Sequence, residues 1–295
     1  MKFRCAIAGC GRIGSEFDDD PLMRKSYGIC SHAGGYMDNP NTELVAASDI
    51  KPEQLEKFKK KWGVTNLYTD YREMLEKEKI DILSICTPPN THPPILECAI
   101  KHEVRAIFCE KPLADFADRA ERMVWLAKNS NVILVVNHSR RWDTLYQNVR
   151  DYIADGNLGD IKHVSAYFTG GRVDNGTHMM DTLRMLCGEL DNLDVKVNHL
   201  DVPYTFFEID IYGTKRRLRV ANNGFATHAW EVAESDKYSR HKELYPEINF
   251  CTDPAGKSMM KNAIQNIVDC LTLDTTPFCT GDDGVKALEL VEEYL

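Results

Sequence analysis

No stretch of this 295-residue chain comes near the ~20 consecutive apolar residues that a membrane helix needs. Positive charge is also short, with 36 Lys and Arg against 45 Asp and Glu and a net charge of −9. That balance gives no general attraction for nucleic acid or for an acidic membrane surface. The ten cysteines form no C-x-x-C pair. Several of them (Cys5, Cys86, Cys109) sit inside apolar runs, as small buried hydrophobes do. The expectation is reduced thiols in a cytoplasmic protein rather than a disulfide framework. No His, Cys and Asp spacing resembles a metal site, and no repeat or low-complexity tract is visible. The first apolar run starts at Phe3, which leaves no room for a signal peptide.

What the chain has is a glycine motif at its start. The run Phe3 to Ala8 leads into Gly9-Cys10-Gly11-Arg12-Ile13-Gly14, which fits G-x-G-x-x-G. After a buried strand, such glycines let the backbone turn and approach a pyrophosphate at a helix N-terminus, where unpaired N–H groups and the helix dipole favour an anion. Gly9, Gly11, Arg12, Ile13 and Gly14 are therefore candidate cofactor contacts.

Strand-like and helix-like segments then alternate. Glu43 to Asp49, Ile80 to Cys86, Val104 to Cys109 and Asn131 to Val136 read as strands, with helices over Pro52 to Trp62, Tyr71 to Lys79, Pro93 to Lys101 and Asp115 to Asn129. This alternation predicts crossover connections and a parallel sheet covered on both faces. Asp49, at the end of the second strand, is placed to accept hydrogen bonds from ribose hydroxyls, with Ile50 beside it. An acid there repels a 2′-phosphate and favours NAD, while Lys51 leaves NADP use open. The gap from Gly14 to Asp49 is 35 residues where about 20 is usual. The surplus reads as a loop inserted at Ser15 to Cys30, expected at the mouth of the ligand crevice, with Ser31 capping a restarted helix through Met37.

Three further clusters are more specific: Cys86-Thr87-Pro88-Pro89-Asn90-Thr91-His92, Glu110-Lys111-Pro112, and Asp174-Asn175-Gly176-Thr177-His178-Met179-Met180-Asp181. With the opening motif and Asp49, they resemble the Gfo/Idh/MocA oxidoreductases, the relatives of glucose–fructose oxidoreductase and inositol dehydrogenase. The resemblance covers residues 1 to about 190 and returns at Phe207 to Val220 and in the C-terminal helices. It implies a cofactor loop at Thr87, Pro88, Asn90 and His92, and Glu110 beside the cofactor with an active-site Lys111. It also implies Asp174 and His178 against the substrate. Asn137 and Arg141, in Asn137-His138-Ser139-Arg140-Arg141-Trp142, become candidates for cofactor and substrate contact, whereas His138 reads as a packing residue. Relatives of this kind bind NAD(P) and oxidise or reduce a secondary carbinol of a sugar-like molecule.

Those residue types suit the chemistry. Hydride transfer from a carbinol needs a base for the hydroxyl proton, a cation for the developing oxyanion and a pocket that holds the carbon. A histidine titrates near neutral pH, which suits His178 as base, and Lys111 supplies the cation. Asp174 lies four residues before His178. If the helix has begun there, both share one face; if not, Gly176 marks a tight entry.

In the second half, Ile161 to Thr169, Val195 to Val197, Phe206 to Ile211 and Leu218 to Val220 read as strands, with a hairpin turn at Tyr212 to Lys215. Ala221 to Asp253 reads as a long loop, and Met259 to Leu271 and Gly284 to Leu295 as helices. Gly256-Lys257-Ser258 lacks the context of a phosphate loop. Compared with the family, about two strands are missing before Phe207, which puts pairing of two copies through the open sheet face in doubt.

The expected fold is α/β: an N-terminal Rossmann dinucleotide-binding domain over 1–137 and an α+β domain over 138–295 with a shortened, mostly antiparallel sheet. The C-terminal helix of the second is free to pack back on the first. The expected function is NAD(P)-dependent hydride transfer on a sugar, cyclitol or nucleotide sugar. Two alternatives stand beside it: a non-catalytic sugar or nucleotide sensor, and a reductase of a non-sugar substrate such as an imine.

Overall fold

The structure, a computed structural model, describes residues 2–247, 250 and 258–295. The chain forms two compact units, Met1–Trp142 with Lys257–Leu288, and Asp143–Gly256 with Glu289–Leu295. The division expected after residue 137 falls at 142, and residues 257–288 return to the first unit.

In the first unit, β1 (Phe3–Ala8), β2 (Thr42–Ser48), β3 (Asn66–Tyr68), β4 (Ile82–Ile85), β5 (Ala106–Cys109) and β6 (Ile133–Val136) build one sheet in the order β3-β2-β1-β4-β5-β6. All five pairings are parallel. The strand order reverses at β1, and ligands of open α/β sheets bind outside the carboxyl ends at such a switch point. The glycine motif, Asp49, Thr87, Glu110 and Asn137 each follow the carboxyl end of a strand, so the topology gathers them along one edge. The strand interiors are almost wholly buried, as their unbroken apolar runs require. β3 was not expected; its three residues are too short to show a period.

The segment Ser15 to Cys30 is folded rather than looped. Glu16–Asp19 forms a 3-10 turn and Pro21–Tyr27 a short helix, α1, capped by Asp20. The next helix, α2 (His32–Asp38), is capped by Ser31, whose Oγ accepts from Gly34 N. Its first amides bond backwards across the insertion: His32 N donates to Ile13 O and Ala33 N to Gly14 O, both at 3.0 Å. Each bond spans nineteen residues where an α-helical bond spans four. Fifteen residues are therefore looped out of one helix whose two parts stay in register. That length matches the surplus between Gly14 and Asp49.

Asp18, buried, holds the excursion down. Its carboxylate accepts from Cys30 N at 2.9 Å and from the Ser31 hydroxyl. At its root, Ser15 Oγ accepts from Trp62 Nε1 and Ser15 O from Lys61 Nζ, both on α3 (Pro52–Trp62). Excising Glu16 to Cys30 is expected to join Ser15 to Ser31 as a continuous helix. The shortened chain should fold and bind NADH within about threefold of the full chain, since the register is unchanged. A deletion variant that is insoluble, or that loses helix by circular dichroism, would contradict that reading.

The remaining helices of the sheet are α4 (Tyr71–Lys77), α5 (His92–Lys101) and α6 (Ala117–Asn129). The second unit opens with α7 (Thr144–Ala154), β7 (Ile161–Phe168) and α8 (Arg172–Cys187), and continues with β8 (Val195–His199), β9 (Phe207–Gly213) and β10 (Arg216–Ala221). β11 (Ala226–Glu234) and β12 (Lys242–Pro246) complete its sheet. The order is β12-β11-β10-β9-β7-β8, antiparallel except for β7 with β8. One strand, β8, lies between α8 and β9, yet the sheet has six, because Ala221 to Asp253 is no loop: it supplies β11 and β12. Residues 248, 249 and 251–253 of that stretch, and Gly256-Lys257, lie outside the described residues.

The helix α9 (Met259–Leu273) belongs to the first unit. It lies close on α2 because Gly35 has no side chain; a Cβ there would stand 2.8 Å from Ile264 Cγ1. The last helix, α10 (Gly281–Tyr294), follows. Among the described residues no helix is long and apolar enough to cross a membrane.

Candidate active site

The glycine loop is shaped by close approach. Gly9 has φ +97°, and a Cβ on it would lie 2.7 Å from Cys86 O; one on Gly14 would lie 2.1 Å from Gly9 O. Around Gly11, by contrast, a Cβ would meet nothing within 4 Å. Two glycines thus let the loop pack on itself and on β4, while the middle one leaves its face open to an incoming group. A pyrophosphate fits that arrangement. Asp49 ties β2 to the loop: its Oδ2 accepts from Cys10 N at 2.8 Å and its Oδ1 from Lys51 N at 2.9 Å. Ile50 beside it is 84% exposed, an apolar surface at the same strand end. Arg12 lies over the ring of Phe17, 4.9 Å from its centre, so the excursion packs on the cofactor loop. Ile13 contributes its carbonyl to α2, as described above.

The Thr87 turn is fixed from below. Thr91 Oγ1 donates to Thr87 Oγ1 at 2.8 Å, while Pro88 and Asn90 are exposed on the same turn. His92, expected along the cofactor, is buried instead. Its Nε2 lies 2.7 Å from Thr87 O and its Nδ1 3.1 Å from Leu113 O. It clamps the Thr87 turn to the segment that follows Lys111. Burial pushes its pKa below the usual histidine value, although the two carbonyls oppose that shift.

The sign of the pH effect follows. The unfolded chain takes up the proton near pH 6.5 and the folded chain resists it, so stability is full above about pH 6.5 and falls as pH drops below it. His92→Gln is expected to flatten the fall in Tm between about pH 7 and about pH 5. An unchanged slope in scanning calorimetry would show that His92 does not carry it.

Glu110 and Asn137 were also expected on the cofactor, and their side chains turn inward. Glu110 is 8% exposed. Its Oε1 accepts from His32 Nε2 at 2.9 Å and from Asn137 Nδ2 at 2.6 Å, and its Oε2 from Lys111 N at 3.3 Å. Burial alone would raise its pKa. The His32 and Asn137 donors and the Lys111 charge outweigh burial and hold it below the usual glutamate range. His32 Nδ1 meets Ser84 Oγ at 2.8 Å, and Tyr36 OH meets the same oxygen at 2.7 Å. The result is a buried chain, Tyr36–Ser84–His32–Glu110, directly before Lys111. Sequence reasoning passed over His32, Ser84 and Tyr36. The signal for His32 was present, because removing the fifteen surplus residues puts it in the first turns of the helix after the glycine motif.

Lys111 itself is half-buried. Arg141 is engaged within its own unit, donating to Phe278 O and to Asp283 Oδ1, both at 3.0 Å. These bonds tie Arg141 to the segment before α10 and to its first turn.

In the second unit α8 has begun by Asp174, which resolves the two geometries left open: Asp174 and His178 share one helix face. Asp174 is exposed and His178 half-buried. Gly176 serves packing rather than a turn, since a Cβ there would lie 2.9 Å from Leu295 Cδ1. Among the described residues no group of three or more His, Cys, Asp or Glu is placed to hold a metal ion.

Comparison with known proteins agrees with this geometry. A model of the oxidoreductase family with an NAD-binding Rossmann fold, GFO_IDH_MocA, matches residues 3–138. Residues 3–138, a little under half of the chain, are thus similar to the Rossmann domain of the Gfo/Idh/MocA oxidoreductases. The chain is similar to myo-inositol 2-dehydrogenase of Thermotoga maritima, 28% identical over 156 residues. That alignment covers 53% of this chain and 42% of the relative, so the chain matches less than half the length of that enzyme. D-apiose dehydrogenase of Paraburkholderia graminis is 24% identical, with 99% of this chain and 86% of the relative aligned. A solved WlbA dehydrogenase of Bordetella pertussis, in complex with NADH and UDP-GlcNAcA, superposes with a TM-score of 0.75 at 19% identity. It covers all of this chain and 95% of that one, a likeness of fold. The first unit is thus an NAD-binding Rossmann domain.

Proposed function

We propose that this chain is a Gfo/Idh/MocA oxidoreductase that transfers a hydride between NAD and a secondary alcohol or ketone of a sugar, cyclitol or nucleotide sugar. One observation carries the reading. A glycine cradle open at Gly11 and a lysine anchored behind by a buried, charged Glu110 stand along the same carboxyl edge of a parallel sheet. The nicotinamide, when bound, accepts or supplies the hydride. Gly9, Gly11, Arg12, Ile13 and Gly14 hold the pyrophosphate, Asp49 and Ile50 the adenosine end, and the turn of Thr87, Pro88 and Asn90 lies alongside. Glu110, His92 and Asn137 fix the loops that do the binding. Lys111 offers its ammonium to the carbinol oxygen as negative charge develops there. His178 takes the hydroxyl proton on a ring nitrogen and returns it in the reverse direction. Asp174, one turn earlier on the same face, orients that ring or binds a neighbouring hydroxyl. The dehydrogenases similar to this chain act on inositol and apiose, which supports a polyol as substrate.

Arg217 and Asp210, and Arg219 and Glu208, pair on the sheet face of the second unit. This supports a chain that does not need a second copy there, and sedimentation equilibrium reads it. The function is tested by screening purified protein with NAD⁺ and NADP⁺ against inositols, aldoses and nucleotide sugars, following absorbance of the reduced nicotinamide. Turnover of at least one polyol is expected. Tight NADH binding without turnover of any of them would favour a sensor instead.

A further inference from the structure

We propose that His32 is a positioning residue for this reaction: its imidazole fixes the Glu110 carboxylate and, through it, Lys111, while Asp18 of the excursion holds the helix that carries His32. The inference rests on the reading of Lys111 given above. Three observations support it independently of that reading.

The first is the direction of the protons. An ionised Glu110 can only accept, so His32 Nε2 is the donor across 2.9 Å. On its other side the ring is held at Nδ1, which meets Ser84 Oγ at 2.8 Å, and Tyr36 OH meets the same oxygen at 2.7 Å. Both ring nitrogens are thus engaged, which fixes the plane of the imidazole and, with Asn137, the orientation of the carboxylate. His32 is fully buried and also lies against the Phe108 ring, 4.4 Å between centres. The groups around Glu110 are His32 from α2, Asn137 after β6, Lys111 after β5, and the neutral thiols of Cys86 and Cys109.

The second is the attachment of the excursion. Asp18 accepts from Cys30 N and from the Ser31 hydroxyl, the two residues just before His32. The clip replaces the covalent helix that the insertion interrupts. The third is the room left for it: a Cβ on Gly34 would lie 2.3 Å from Asp18 Oδ2, so glycine at 34 admits the carboxylate to the helix.

The test uses the full chain with NADH bound and glutamate labelled with carbon-13 at the carboxyl. In the wild type, Glu110 stays ionised below the usual glutamate range. His32→Phe keeps the bulk and the ring contact but removes the donor, so the Glu110 midpoint is expected to rise by about one unit or more. His32→Gln restores an N–H near Nε2 and is expected to recover most of that shift, an outcome a purely structural role would not give. Asp18→Asn should move Glu110 the same way by less. Deletion of Glu16 to Cys30, which restores the covalent helix, should leave it as in the wild type. On the polyol turned over in the screen, His32→Phe should lower kcat roughly 10-fold at unchanged KM for cofactor.

A wild-type Glu110 titration in His32→Phe, or a His32→Gln no better than His32→Phe, would overturn the proposal. A neutral Asp18→Asn would overturn the part given to the excursion. Lys111→Ala separates the two readings. If that variant keeps turnover while Glu110 still answers to His32, the role of Lys111 fails and the His32–Glu110 coupling stands. If it abolishes turnover and Glu110 ignores His32, the further inference alone fails.

Discussion

Lys111→Ala and His178→Ala are each expected to lower kcat by roughly 10²-fold or more, the scale of a positioned acid–base group. Affinity for NADH should change little in either. The two losses have different causes. Without the Lys111 ammonium, charge developing on the carbinol oxygen is left without its cation, and the Glu110 carboxylate, 8% exposed, remains behind it. Lys111→Arg should recover little, because a planar guanidinium on a longer stem does not reproduce a compact point charge. Without His178 the hydroxyl proton loses its ring nitrogen acceptor, and the acid limb of the kcat–pH profile should flatten. Gln at 178 can bond but not titrate and should be as slow as Ala. Steady-state rates across pH for the four variants check this. If both alanine variants turn over at near-normal rates, the chemistry lies with other residues.

The second large effect concerns the choice of cofactor. Asp49 holds Cys10 N and Lys51 N on its two oxygens, so its carboxylate stands beside the glycine loop, where the proposed function puts the adenosine end. A 2′-phosphate brought there meets a carboxylate, whereas ribose hydroxyls can share its lone pairs. The wild type should therefore favour NAD, by roughly 10-fold or more in kcat/KM. Asp49→Ser removes the repulsion and keeps a short acceptor, so NADP use should rise and NAD use fall. Two costs combine in the variant, because the loop amide of Cys10 also loses a charged acceptor. Cofactor titrations followed by nicotinamide fluorescence read both. NADP bound by the wild type at least as tightly as NAD would contradict the role given to Asp49.

Much of the first unit was legible because its signals are backbone signals. Buried parallel strands need unbroken apolar runs, and Phe3 to Ala8, Ile82 to Ile85 and Ala106 to Cys109 provide them. The glycine motif reports close approach of main chain, and Gly9 and Gly14 are packed too tightly for any side chain. What motifs do not carry is side-chain direction. His92, Glu110 and Asn137 sit in the expected loops, yet each turns into the protein, because a half-buried loop at a strand end has to satisfy its own carbonyls and amides before it can hold a ligand. His32 was hidden by distance along the chain, since its amide bonds to Ile13 O, nineteen residues back, as though the residues between were absent.

In the second unit β11 and β12 escaped because of their composition. In β11, Thr227 and Ala229 are the buried positions, and the residues between them and beyond (His228, Trp230, Glu231) are polar or aromatic. The apolar residues of β12 are not buried. Alternation that weak is overruled in sequence by the density of charge, and only the pairing of β11 with β10 and of β12 with β11 makes it a sheet. The Asp174–His178 pair was legible in spacing but not in state, for only the start of α8 at Arg172 decides that both lie on one face.

Hydride transfer by this chain is read most directly from the fate of one hydrogen. A polyol turned over in the screen, deuterated at its carbinol carbon, is incubated with NAD⁺ and the protein, and the reduced cofactor is weighed by mass spectrometry. One deuterium per NADH formed is the expected result, with none in the parallel incubation lacking protein. Reduced cofactor without deuterium, or no reduced cofactor from any inositol, aldose or nucleotide sugar in either direction, would contradict hydride transfer by this chain.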